Sequence, residues 1–97
     1  MVAKVILFSY KYGEISNFLN KFYNSNVKTD NPLFWEKTFP NPADISEIIA
    51  AFSDNNKAFD IDMWISFDTD VFIKISPLNA DIIIKYIFER YPDFLMP

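Results

Sequence analysis

The sequence predicts one α/β (α+β) domain spanning residues 1–97: a single four-stranded mixed sheet with helices packed on it, in the element order β-α-β-α-β-β-α. Three observations predict it. Val5, Ile6, Leu7 and Phe8 form a branched, apolar run whose two alternating sets are both apolar apart from Lys4, as in a central strand covered on both faces. Strict alternation then occupies positions 59–67, with Phe59, Ile61, Met63, Ile65 and Phe67 facing one way and Asp60, Asp62, Trp64 and Ser66 the other. Three further stretches repeat their apolar residues at helical spacing.

The elements follow in order. Residues 2–9 make the first strand. Ile15, Phe18, Leu19, Phe22 and Tyr23 fall on one side of a helix over residues 14–24, and Glu14, Ser16, Asn17, Asn20 and Lys21 on the other. Polar turn residues follow. A second strand over 33–39 sets Leu33, Trp35 and Phe39 against Phe34, Glu36 and Thr38. Asn41 as N-cap, Pro42 in the first turn and Asp44 at the positive end of the dipole start a helix buried through Ile45, Ile48, Ile49 and Phe52. The alternating third strand comes next, and Val71, Ile73 and Ile75 mark a fourth that returns as a hairpin.

The hairpin register follows from the pattern, because a one-residue slip moves a whole apolar set to the wrong face. An odd loop of three or five residues sets Ile65 opposite Val71, Met63 opposite Ile73 and Ile61 opposite Ile75. The other face then pairs Trp64 with Phe72 and Asp62 with Lys74. Ser76 and Pro77 cap a last helix with a broad apolar arc of Leu78, Ile82, Ile83, Ile84, Ile87, Phe88 and Tyr91, ended by Pro92.

Composition excludes much chemistry. The chain has no cysteine, no histidine and one glycine, which removes disulfides, thiolate nucleophiles, imidazole or thiolate zinc sites and the commonest general base. Nine Lys and Arg against thirteen Asp and Glu give a net charge of -4. That balance opposes nucleic acid and anionic lipid and favours a basic partner. The run at Val5 is too short for a signal-peptide apolar region, and no stretch reaches the ~20 apolar residues of a membrane span. The expectation is a cytoplasmic protein with no cofactor.

The element order, with the first two strands parallel through a right-handed crossover, resembles the thioredoxin-like fold in its small glutaredoxin form. Val5, Ile6, Leu7, Phe8, Ser9, Tyr10, Lys11, Tyr12 and Gly13 look like a glutaredoxin first strand and the loop entering its first helix. That family places a Cys-x-x-Cys pair in this loop and a proline, normally cis, before its third strand. This chain has no cysteine there, and Lys57, Ala58, Phe59 and Asp60 where the proline would stand. The resemblance implies a fold and carries no redox activity.

Four constellations are candidates for function. Asp60, Asp62, Asp68 and Asp70 offer hard oxygen ligands, but without calcium-loop spacing, and charge on an outer strand plus a polar turn explains them more simply. Ser9, Tyr10, Lys11, Tyr12 and Gly13 lie beyond a strand end and ahead of a helix, where an anion could bind; an ordinary connecting loop is the simpler account. Lys11 and Tyr12 have no activating partner for proton transfer.

The third constellation is Trp64, Phe72, Asp62 and Lys74, on the hairpin face away from the main apolar set. A helix covers these aromatics, or they form a protein interface; with three helices to clothe two faces, cover is the expectation, and Trp35 and Phe34 pose the same choice. The fourth is the tail, whose Phe94, Leu95 and Met96 pack on the domain or on a second copy. Together these readings predict a noncatalytic interaction protein that self-associates as a homodimer, with no nucleic-acid or membrane partner. The alternatives are a small-ligand or anion-binding domain using residues 9–14, and an acidic immunity or inhibitor protein for a basic partner.

Overall fold

A computed structural model describes residues 3–24 and 26–90. Its elements run β1 (Ala3–Phe8), α1 (Glu14–Phe22), β2 (Phe34–Phe39), a short 3-10 helix (Pro42–Ile45), α2 (Ser46–Asp54), β3 (Asp62–Phe67), β4 (Ile73–Lys74) and α3 (Ala80–Arg90). The expected element order is present. The sheet order is β2-β1-β3-β4, and every neighbouring pair is antiparallel.

The mixed sheet expected from the sequence is therefore corrected, and with it the parallel first pair carried by the thioredoxin-like expectation. The cause lies in the connection after α1. Nine helical residues carry the chain about 14 Å away from the end of β1, and residues 23–33 are long enough in extended form to bring it all the way back. Thr29 meets Ser16 at 3.3 Å between hydroxyls, and the Ser9 N–H donates to the Leu33 carbonyl at 3.0 Å. So β2 begins beside the end of β1, with Phe8 opposite Phe34, and must run antiparallel.

One face of the sheet carries the core. Ala3, Val5 and Leu7 of β1, Phe39 of β2, and Met63 and Ile65 of β3 are buried together with Ile15, Phe18 and Leu19 of α1, Ile48, Ile49 and Phe52 of α2, and Ala80, Ile83 and Ile87 of α3. All three helices thus clothe the same side. The second expected layer does not exist among the described residues: β1 is central, as its apolar run predicts, but Lys4, Ile6 and Phe8 on its reverse are only half-buried. The arrangement is two layers rather than three.

The hairpin differs from expectation by two residues. Ile65 pairs with Ile73 and Trp64 with Lys74, and the Ile75 N–H donates to the Met63 carbonyl at 2.9 Å. The loop is still odd, so the faces are kept. With Ile73 opposite Ile65, seven residues (66–72) lie between the last paired positions where the expected pairing of Ile65 with Val71 leaves five, and among them Asp68 takes a positive φ of 53° and the Thr69 hydroxyl accepts from the Val71 N–H at 3.0 Å. Val71 is consequently outside the ladder and exposed, while Ile75 is buried.

Asn41 caps a helix start as the sequence reading expects, its Oδ1 accepting from the Ala43 N–H at 3.0 Å, but the helix it opens is the 3-10 turn Pro42–Ile45, and α2 begins only at Ser46. In α3 the predicted apolar arc is cut by half, because Leu78, Ile82 and Phe88 face outward. Val2, Tyr91, Pro92, Phe94, Leu95 and Met96, and with them the expected packing of the tail, lie outside the described residues. No helix among the described residues is long and apolar enough to cross a membrane.

Candidate docking face

The uncovered side of the sheet is built in rows by strand register. At one end Thr38, Lys4 and Ser66 stand side by side; in the middle Glu36, Ile6, Trp64 and Lys74; at the other end Phe34, Phe8 and Asp62. Phe34 and Trp64 are 39% and 36% exposed, and Tyr10 meets Phe8 edge-on with centroids 4.9 Å apart. A diagonal of Phe34, Phe8, Ile6 and Trp64 therefore crosses a face that no helix among the described residues covers. The expectation that Trp64 and Phe34 sit beneath a helix is corrected by this geometry, whereas Trp35, on the opposite side of β2, packs against the core as expected.

Three of the predicted residues converge. Lys74 Nζ lies 3.7 Å from Asp62 Oδ1 and 5.7 Å from the centre of the Trp64 ring. Lys4 makes the corresponding pair with Glu36 at 3.3 Å. Half-exposed ion pairs of this kind contribute less than about 1 kcal/mol each, and an exposed cation over an indole adds about as little.

Phe72 is the exception. The two-residue shift gives Trp64 a lysine opposite it instead of the expected phenyl ring. Phe72 instead helps line a concavity of about 340 Å³ at the Lys4 end of the face, with Thr38, Ser66, Asp68, Thr69 and Asp70.

The loop of residues 9–13 has other work. Ser9 is buried, its hydroxyl donates to the Asp60 carbonyl and accepts from the Lys11 N–H at 3.0 Å, and it thereby ties the end of β1 to the approach to β3. Gly13, at φ 88°, supplies the left-handed turn into α1 that a side chain would strain. The Glu14 carboxylate accepts from the Asp60 N–H at 3.0 Å and places negative charge in the first turn, where an anion would have to approach. Lys11, Tyr10 and Tyr12 point into solvent. Ser9→Ala is expected to lower stability by about 1 kcal/mol, because it removes the buried hydroxyl that holds the Asp60 carbonyl and the Lys11 N–H; urea denaturation measures it.

The four aspartates are spread apart. Asp60 adjoins Glu14 and Ser9 through its backbone, Asp62 belongs to the lysine on the open face, and Asp68 and Asp70 edge the concavity beside Phe72. Among the described residues no three carboxylates gather closely enough to hold a metal ion.

Sequence reasoning found Trp64, Asp62 and Lys74 but not the contribution of Ile6, Phe8 and Tyr10. A signal existed: β1 alternates its buried residues with Lys4, and one lysine on the second set already marks that side as partly wet. No protein family, curated protein or solved structure matches this chain.

Proposed function

We propose that this chain is a noncatalytic interaction protein that self-associates and offers its open sheet face to a protein partner with an apolar segment and a basic rim. One observation carries the reading: Trp64 stands partly exposed in an aromatic and aliphatic diagonal on a sheet face that no helix among the described residues covers. Aromatic anchors with a polar surround are the composition of non-obligate interfaces. The chemistry of the partner follows from charge. The chain carries -4, and Asp60, Asp62, Asp68 and Asp70 stand around or beside the face, so lysines and arginines on the partner would be drawn to its edge and acidic surfaces repelled. A phosphate-rich partner fits the same balance poorly. A cysteine-free chain of this kind suits a reducing, cytoplasmic setting.

The test compares variants rather than relying on capture alone. Proteins that copurify with the tagged wild-type chain are compared with those retained by Trp64→Ala and by the chain with Asp60, Asp62, Asp68 and Asp70 changed to Asn. The partner is expected to be lost from both, and its purified form to bind Trp64→Ala at least ~30-fold more weakly, the loss typical of a central aromatic anchor. Equal retention of every captured protein by all three chains would sink the reading.

A further inference from the structure

We infer that the self-association proposed above, on which this inference rests, runs through the outward side of α3, where a second copy packs antiparallel across a two-fold axis. Leu78, in the turn leading into α3, and Ile82 and Tyr86 stand four residues apart and form one row along the helix. They are 91%, 69% and 45% exposed. Val71 and Ile73 of the hairpin, 70% and 40% exposed, border the same row across a groove of about 480 Å³ that Ile82, Ile83 and Tyr86 also line. This surface is apart from the open sheet face and has a different composition. It is aliphatic and uncharged at its centre, as interfaces between identical subunits are.

The size of the patch matches the occupant. Side chains exposed to this degree amount to roughly 500 Å² of apolar surface, at the upper end of what a monomer leaves bare. Two such patches meeting would remove about 1,000 Å², the area at which a specific interface begins. A two-fold contact also has to be self-complementary. An axis passing between Ile82 and Ile83 sets Leu78 within one residue of the level of Tyr86 of the second copy and Ile82 within one residue of its own counterpart.

The charges on the neighbouring row agree. Asp81, Lys85 and Glu89 follow one another at four-residue spacing, with Lys85 and Glu89 paired at 3.8 Å and both well exposed. Antiparallel packing brings this row against the same row of the second copy, and about an axis between Ile82 and Ile83 Asp81 of each chain lies within one residue, ~1.5 Å of rise, of the level of Lys85 of the other and three residues from the other Asp81. Two opposite-charge pairs thus flank the apolar contact, and a parallel arrangement would instead set Asp81 against Asp81.

Sedimentation equilibrium of the full chain over about a hundredfold range of concentration tests this, with circular dichroism to show that each variant is folded. Wild type is expected to sediment as a dimer and Ile82→Lys as a monomer, with a dissociation constant raised at least ~30-fold. Asp81→Lys and Lys85→Asp are each expected to weaken the dimer about fivefold or more, and the double exchange to restore it, a rescue that a purely structural role would not produce. A dimer that ignores Ile82→Lys and the charge exchange but dissociates with Trp64→Ala would overturn the α3 assignment and leave self-association intact. A monomer at every concentration would overturn both. So would a chain that dimerises only after removal of residues 91–97, because its own tail would then be the occupant of the patch.

Discussion

Phe18→Ala is expected to lower the free energy of unfolding by about 4 kcal/mol. Phe18 is fully buried and is the aromatic centre of the helical layer: its ring lies 5.3 Å from Phe22, 5.5 Å from Phe59 and 6.4 Å from Phe52, the last two edge-on. It therefore joins α1 to α2 and to the segment leading into β3. Truncation loses the transfer energy of a whole ring and opens a void among three others that cannot all move inward, and each edge-on contact contributes ~0.5–1.5 kcal/mol beyond its buried area. Against a total stability of roughly 5–15 kcal/mol for a domain of this size, that is a loss of a quarter or more. Urea denaturation should show the midpoint falling by ~2–3 M, with Phe18→Leu near half the effect. A Phe18→Ala protein within about 1 kcal/mol of wild type would contradict a rigid aromatic centre.

The second large effect tests the two-layer arrangement through neighbouring residues on one strand. Leu7 is fully buried between Trp35 and Met63, its partners in the adjoining strands, and Leu7→Ala is expected to cost about 3 kcal/mol. Ile6 occupies the reverse of the same strand, between Glu36 and Trp64. With no helix of the described residues over it, Ile6→Ala should cost only about 1 kcal/mol, since its methyls lose partial cover and leave no closed cavity. A third helix layer would make the two losses equal. Equal losses in urea denaturation would therefore refute the open face on which the docking proposal depends, while a gap of 2 kcal/mol or so would be expected of a sheet covered on one side.

Much of the fold was legible because backbone periodicity is local. The alternation of Phe59, Ile61, Met63, Ile65 and Phe67 has one inward set whatever the strand pairs with, and the row of Ile45, Ile48, Ile49 and Phe52 has one inward side whatever lies beneath it. Asn41 and Pro42 could be read as a helix start for the same reason: their partners are two residues away. The hairpin faces were legible too, but not its exact register, because two odd loops preserve the same faces and differ only in local turn energetics around Asp68 and Thr69.

The candidate surfaces were less legible. Trp64, Asp62 and Lys74 could be grouped from alternation alone, yet whether the group is covered depends on where three helices go. Leu78 and Ile82 misled, because apolar residues at helical spacing read as core, and on α3 they form a second row outside it.

By itself, then, the sequence determined the identity and order of the elements, the inward side of each and the absence of thiol and imidazole chemistry, all properties set within a few residues of the chain. Only the tertiary structure decided that β2 runs antiparallel to β1, that all helices share one side of the sheet, and which apolar residues remain in water. Those outcomes depend on contacts between distant positions, such as Ser9 with Leu33 and Asp60, whose partners no local pattern names.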